Sequence, residues 1–184
     1  LSSRNRRTER TQVLATAPGL DAHAAHDAAA CTHADGAAEQ LGYALDVLDA
    51  RGELDPGSLD TEAYVLAYLK DVTMHEVGHT LGLRHNHRAS GAYTIEQLRD
   101  PKFTAKHGSV GSIMSYGRFN YVAQPEDGVK QLIPVIAPYD FFAIEWGYKS
   151  IPGATKPEDE RPTLDKWASR QLNEPWLRFG GEDG

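Results

Sequence analysis

HEVGHTLGLRH, residues 75–85, is the stretch on which the fold of this chain depends. Residues four apart on an α-helix lie about 40° apart around the axis and about 6 Å apart along it, so His75 and His79 share one helix face. Two imidazoles on one face can bind the same ion, and zinc takes nitrogen ligands at about 2.0–2.1 Å in a tetrahedron. The stretch therefore predicts a metal site whose third ligand comes from chain beyond the helix.

Gly82 supplies the end of that helix. Glycine has no Cβ and readily adopts the left-handed conformation that terminates many helices. His85 then turns back as a third ligand, which leaves the fourth position of the tetrahedron for water. Glu76 lies about 100° around the helix from His75, beside the metal, where a general base for that water belongs. The stretch predicts a catalytic zinc (Zn2+) site; solvated surface histidines are the alternative.

The pattern HExxHxxGxxH resembles that of the metzincin metallopeptidases, which also carry a methionine turn downstream. A closer resemblance is to large bacterial zinc-dependent proteases of uncharacterised type, which carry a similar HEVGHTLGLRHN run. Asn86, the residue after the third histidine, differs from the Asp, Glu, Ser or Pro of the better-known subfamilies. The resemblance implies secretion or a periplasmic location. It also implies that His75, His79 and His85 are the zinc ligands and that Glu76 is the general base.

The methionine turn of the resemblance corresponds to SIMSY, residues 112–116. The resemblance implies that Met114 packs as an apolar floor beneath the metal. It also implies a catalytic role for Tyr116, which either binds the metal or helps to stabilise the oxyanion, as the corresponding tyrosine does in astacin-like and serralysin-like members. An ordinary buried methionine in a loop is the alternative for Met114.

Composition limits the function classes. A chain of 184 residues is long enough for one domain with a sizeable core. A net charge of -7 argues against a nucleic-acid partner, and no apolar run approaches the roughly 18 residues of a membrane span. One cysteine, Cys31, excludes an internal disulfide. The expected partners are a protein or peptide substrate and the rest of a larger parent chain, of which we expect these residues to be a segment.

Helical periodicity and capping residues predict the other elements. An apolar stripe on the motif helix is expected to pack against the core; it comprises Val65, Leu66, Tyr68, Leu69, Val72, Val77 and Leu81. We expect Pro101 to end a short helix and to be followed by a loop over 102–111. The predicted helices cover residues 21–37, 38–48, 61–81, 94–99 and 138–146. Asp140 is expected to cap the last of them. Residues 14–17 are predicted to form a short strand.

Further metal-capable side chains lie in the alanine-rich stretch before residue 38. They are His23, His26, Cys31 and His33. The spacing HxxH followed by CxH corresponds to no zinc site that we can assign. A helix with incidental polar residues is the main interpretation, and a second metal site is the alternative.

The predicted fold is mainly α with few short strands, a zincin-like core built on the long helix over 61–81. The twisted upper sheet of metzincins has no counterpart before residue 61, because β-branched residues do not alternate there. We assign residues 1–150 to a metzincin-like catalytic core, and residues 151–184 to a linker followed by a short helix over 164–172.

Three functions are compatible with this reading. The first is a zinc-dependent endopeptidase that hydrolyses peptide bonds with zinc-activated water and Glu76 as general base. The second is a metal-stabilised binding or scaffold module, inactive in this form, which the missing sheet suggests. The third is a zinc hydrolase acting on a non-peptide amide. An edge strand along which an extended peptide docks would distinguish the first from the third.

Overall fold

A computed structural model of the protein describes residue 31, residues 33–54 and residues 59–181. These residues form α-helices and no β-strand, which confirms the mainly α prediction. The predicted strand over 14–17 and most of the predicted helix over 21–37 lie outside the described residues. The α-helices are α1 His33–Ala50, α2 Leu59–Thr80, α3 Ile95–Leu98, α4 Pro101–His107, α5 Pro138–Tyr148 and α6 Pro157–Ala168.

α2 is the long helix predicted over 61–81, and it ends as the sequence predicts. Gly82 has a φ of 81°, in the left-handed region. The Leu83 N–H donates to the Gly78 carbonyl at 3.0 Å, and the Gly82 N–H donates to the His79 carbonyl at 2.8 Å. This pair of bonds is a Schellman motif, which satisfies two of the carbonyls at the end of the helix. The chain is thereby turned back towards the metal-binding face.

α1 packs along α2 and holds its first half in place. The side chains of Ala37, Ala44 and Leu48 on α1 are buried. Around them lie aromatic and aliphatic partners from α2 and from the loop after the methionine turn, which are Tyr64, Ala67, Tyr68, Val72 and Phe119. Burial of these apolar side chains, at about 25 cal/mol per Å², fixes the two helices relative to each other.

The predicted burial of the apolar stripe on α2 is wrong for four of its members. Tyr68 is buried, with 4% of its surface exposed. By contrast Leu66 is 59% exposed and Leu69 is 55% exposed, and Val77 and Leu81 are also exposed. These four residues lie on the side of α2 opposite α1. The predicted stripe therefore combined two sides of the helix, and among the described residues only the side that faces α1 is covered.

The predicted loop over 102–111 is wrong in its first half, because α4 occupies Pro101–His107. The Asp100 carboxylate accepts hydrogen bonds from the N–H groups of Lys102 and Phe103, at 2.8 and 3.3 Å. Asp100 is therefore an N-cap, and proline follows it at the first helical position, where its missing N–H costs nothing. Pro101 begins a helix rather than ending one.

The C-terminal residues pack on α5. Residues 157–163, predicted as linker, belong to α6, and Ser169–Leu172 and Pro175–Leu177 form 3-10 helices. Arg170 ties them together, with its guanidinium 3.1 Å from Glu145 of α5 and 3.1 Å from Glu174. The division of the chain at residue 150 stays a prediction. No helix among the described residues has both the length and the apolar character needed to cross a membrane.

Candidate metal centre

Three imidazoles converge on one point beside α2. The Nε2 atom of His79 lies 3.1 Å from the Nε2 of His75 and 3.0 Å from the Nε2 of His85. His75 donates its Nδ1–H to the Ile113 carbonyl at 2.6 Å, and His79 donates its Nδ1–H to the Leu83 carbonyl at 3.0 Å. Each of these two rings therefore directs the lone pair of its Nε2 towards the shared centre.

This arrangement suits a bound cation. Two nitrogen lone pairs that face each other at 3.1 Å repel, unless a positive charge lies between them. His75 is fully buried. Burial lowers the pKa of His75 to about 3, and the neighbouring histidines lower it as well, so that its ring is neutral at physiological pH. Neutral imidazoles with inward lone pairs are the form in which histidine binds metals.

A fourth ligand atom, which the sequence analysis did not assign, completes the group. The Sγ atom of Cys31 lies 3.4 Å from the Nε2 of His75 and 3.4 Å from the Nε2 of His85. All four ligand atoms, including the Nε2 of His79, lie within 4.8 Å of one another. The bond lengths of tetrahedral zinc imply edges of about 3.3 Å between nitrogens and about 3.6 Å between nitrogen and sulfur. Four of the six separations, those from His79 to the other two imidazoles and from Cys31 to His75 and His85, are close to these edges.

Two further side chains named by the sequence reach the same centre. The Cys31 thiol lies 3.5 Å from the Glu76 Oε1 atom and 3.7 Å from the Tyr116 hydroxyl. The Tyr116 ring stacks on the ring of His33, with centroids 4.9 Å apart. Glu76 and Tyr116 thus lie beside the candidate ligand group. Their catalytic roles stay predictions.

His87, which lies two residues after the third histidine of the motif, does not join the group. Its ring packs against His85, with centroids 5.3 Å apart, and against Tyr116, with centroids 5.0 Å apart. The four converging ligand atoms come from other residues. His87 therefore lies behind a ligand, in a position to support the orientation of the His85 ring.

Residues 112–116 form a turn beneath α2. Met114 is fully buried, and Gly78 of α2 is buried opposite it. A Cβ at position 78 would overlap the Met114 Sδ atom and lie 3.2 Å from its Cε. The absence of a side chain at Gly78 lets the methionine approach the helix between the turns that carry His75 and His79.

We expect Gly78→Ala to destabilise the protein, although alanine is the better helix former. The inserted methyl must displace a fully buried methionine, and overpacking of this kind costs about 1–3 kcal/mol. Gly42→Ala in α1 is the matched control, because nothing lies within 4 Å of a Cβ there. Gly42→Ala should stabilise the protein by about 1 kcal/mol through helix propensity alone. Urea unfolding measures the free energy of unfolding of both variants. Equal changes in that free energy, with the same sign, would refute the packing argument.

Asp140 holds the methionine segment, residues 112–116, in place. Its carboxylate accepts hydrogen bonds from the Ser112 hydroxyl at 2.5 Å, the Ile113 N–H at 3.0 Å and the Ala137 N–H at 2.8 Å. Burial raises the pKa of Asp140, and these hydrogen bonds lower it. Asp140 was predicted as the cap of α5, but it lies within the first turn and reaches back to Ala137.

Asn86 joins the metal-binding loop to two other segments, which the sequence did not reveal. The fully buried Asn86 donates its backbone N–H to the Met114 carbonyl at 2.9 Å. Its side-chain amide donates to the Arg178 carbonyl at 3.2 Å and accepts from the Gly180 N–H at 3.0 Å. The residue that follows the third histidine therefore fastens the C-terminal segment to the site.

Comparison with protein families decides which class of protein carries this centre. The family described as Met-zincin matches residues 58–184, more than half of the chain. The chain belongs to the Met-zincin family. The Met-zincin match begins at the start of α2 and includes the three histidines, Met114 and Tyr116, while Cys31 precedes it. No curated protein and no solved structure matches the chain.

The Met-zincin match confirms the resemblance to metzincin-type zinc metallopeptidases that the motif predicted. The finer resemblance to large bacterial proteases stays a prediction. Together with the four converging ligand atoms, the match supports a metal-binding protein of metalloprotease type.

Proposed function

We propose that this protein is a zinc-dependent endopeptidase. The observation that carries the proposal is the convergence of three Nε2 atoms, from His75, His79 and His85, with the Glu76 carboxylate beside them. A group of this kind activates water for attack on a carbonyl. The substrate would be a protein or peptide.

Zinc, when bound, supplies Lewis-acid chemistry that makes water acidic and polarises a carbonyl. The side chains of this chain supply the proton transfers. The Glu76 carboxylate takes a proton from the attacking water and passes it to the leaving amine. The Tyr116 hydroxyl donates a hydrogen bond to the carbonyl oxygen as negative charge develops there. The carbonyls of Ile113 and Leu83 keep the His75 and His79 rings aligned during this sequence.

A second candidate function is a metal-stabilised binding or scaffold module. Two observations favour it. Four protein ligand atoms surround the centre, which is the arrangement of structural zinc sites. In addition, the described residues offer no strand edge along which an extended peptide would dock.

Removal of the metal tests the proposed function. We expect the zinc-loaded protein to retain about one equivalent after dialysis, in the tetrahedral site, and to hydrolyse an unfolded protein substrate. A chelator should stop the hydrolysis, and added zinc should restore it. His79→Ala should lose the zinc, because it removes one of the three imidazole ligands. His107→Ala on α4 is the matched control, since His107 contacts Phe103 and Tyr93 rather than the ligand group.

The result separates the two candidates. The endopeptidase is supported if the parent chain binds zinc, His79→Ala loses it, and hydrolysis is present only in protein that contains zinc. Zinc bound without hydrolysis of any unfolded substrate supports the scaffold module. A parent chain that retains no zinc contradicts both.

A further inference from the structure

We propose that His33 is a positioning residue that holds the Tyr116 ring in place, so that the phenol hydroxyl is directed at the metal centre before a substrate arrives. The inference rests on the proposed function, in which that hydroxyl donates to the carbonyl oxygen of the substrate. It assigns a role in the reaction to the first residue of α1, which precedes the Met-zincin match over residues 58–184.

The rings of His33 and Tyr116 are stacked. Their centroids lie 4.9 Å apart, and the angle between their planes is 23°. Aromatic rings attract each other in offset stacks with centroids within about 7 Å. His33 is 9% exposed, so that little water reaches the contact. The imidazole therefore covers one face of the phenol ring and restricts its rotation.

His33 contacts the ligand group through its ring without joining that group. Its ring packs against the ring of His75, with centroids 4.3 Å apart and an angle of 33° between the planes. The four described residues whose ligand atoms converge do not include His33; they are Cys31, His75, His79 and His85. His33 thus lies against both a ligand and Tyr116.

Two more rings limit the position of Tyr116. His85 and His87 meet it in T-shaped arrangements, with centroids 4.8 and 5.0 Å away. Both histidines belong to the segment that follows α2, whereas His33 approaches from α1. The Tyr116 hydroxyl lies at the ligand group, 3.7 Å from the Cys31 Sγ atom. The phenol is therefore held between two parts of the chain, with its hydroxyl at the centre.

The packing of α1 on α2 keeps His33 in position. Ala37, one turn after His33, is buried in a cluster with Tyr68 of α2. Further along α1, Ala44 and Leu48 are fully or almost fully buried. Because α1 is fixed along its length, the His33 ring is a firm support for the phenol.

A fixed hydroxyl matters most in the transition state. Negative charge develops on the carbonyl oxygen as water attacks, and a donor that is already in place stabilises this charge without reorganisation. Without the stack, the Tyr116 ring would sample orientations that carry its hydroxyl away from the centre. The loss of His33 should therefore lower kcat and leave KM nearly unchanged.

The first measurement determines kcat and KM, per equivalent of bound zinc, with labelled casein as an unfolded protein substrate. His33→Ala should lower kcat about three- to tenfold, which is the range expected for the loss of one aromatic pair. His33→Phe keeps a ring at this position and should retain most of kcat. In a Tyr116→Phe background, which lacks the hydroxyl, His33→Ala should have little further effect, because both substitutions remove the same interaction.

Leu48→Ala is the matched control for a general loosening of α1. Leu48 is 2% exposed on the same helix and packs with Phe119 rather than with the rings at the centre. This truncation should destabilise the protein, while the kcat of the folded protein stays close to that of the parent. Thermal unfolding of each variant defines a temperature at which all of them are folded.

The second measurement does not depend on turnover. Nuclear magnetic resonance of ring-labelled tyrosine, with and without zinc, reports on the eight tyrosines, and the Tyr116 signal is the one missing from Tyr116→Phe. Protons above the face of a neighbouring aromatic ring resonate upfield. The Tyr116 signal should therefore move downfield in His33→Ala and stay close to that of the parent in Leu48→Ala.

An unchanged kcat in His33→Ala, or a Tyr116 signal that does not move, overturns the positioning role. Weaker zinc binding with an unchanged kcat per zinc also overturns it, because His33 would then support His75 alone. An equal loss of kcat in the Tyr116→Phe background, in Leu48→Ala or in His33→Phe would overturn the role of the stacked ring.

A parent protein that binds zinc but hydrolyses no casein overturns the proposed function and, with it, any role of His33 in the reaction. The resonance measurement still decides in that case whether His33 holds the Tyr116 ring. A parent protein that hydrolyses casein, together with a His33→Ala variant of unchanged kcat, overturns the inference and leaves the proposed function intact.

Discussion

Glu76→Gln is expected to abolish most peptide hydrolysis while zinc stays bound. Glutamine has the shape of glutamate, but its amide cannot take a proton from water at neutral pH. Loss of a general base of this kind lowers the rate by about 10²–10⁴-fold, which corresponds to about 3–5 kcal/mol in the activation barrier. The zinc content should be unchanged, because the three imidazoles and not Glu76 provide the nitrogen ligands. The kcat/KM value and the zinc content are measured on the same preparation.

Glu62→Gln is the matched control for this substitution. Glu62 is an exposed glutamate in the first turn of the same helix, far along the chain from the ligands. The Glu62→Gln variant should show hydrolysis and zinc content close to those of the parent protein. Full turnover by Glu76→Gln would exclude Glu76 as the base.

The metal-binding helix was predictable because its information is local. The two histidines four residues apart, the glycine and the third histidine all follow from the geometry of one helix and its end. α2 is observed over Leu59–Thr80, close to the predicted range, and Gly82 has the expected positive φ. By contrast, periodicity alone does not say what covers an apolar face, and Leu66 and Leu69 are exposed among the described residues.

The ligand set and its support were not predictable in full, because they join distant parts of the chain. Cys31 and His75 are 44 residues apart, and only the packing of α1 on α2 brings them together. Asp140 and Ser112 are 28 residues apart. No spacing rule links either pair. One local signal that was misread is Asp100 followed by Pro101, which begins α4 rather than ending the helix before it.

Asp140→Ala should cause the largest loss of stability among the substitutions considered. The carboxylate is 3% exposed and is the acceptor for a hydroxyl and two backbone N–H groups, those of Ile113 and Ala137. Alanine leaves these donors without this acceptor inside the protein. A buried donor without a partner costs about 1–3 kcal/mol, so we expect a total loss of about 3–5 kcal/mol. Urea unfolding at equal zinc concentration measures it.

Asp159→Ala on α6 isolates the contribution of burial. Asp159 also lies in the first turn of a helix that begins with proline, and its carboxylate accepts from the backbone N–H groups of Thr155 and Lys156. It is exposed, so water replaces its hydrogen bonds when it is removed. The loss of stability should be much smaller than for Asp140→Ala. Comparable losses would mean that the hydrogen bonds of Asp140 contribute no more to the stability of the protein than hydrogen bonds at its surface.

Asp140→Ala should also weaken zinc binding, because the carboxylate supports a ligand through one intermediate. Asp140 accepts from the N–H of Ile113, and the carbonyl of the same residue accepts from Nδ1 of His75. Loss of an outer partner that orients a metal-binding histidine costs about 10–100-fold in affinity. Titration against a competing chelator, at a urea concentration where both proteins are folded, measures this effect apart from unfolding. An unchanged affinity in a destabilised variant would show that Asp140 braces the fold without positioning His75.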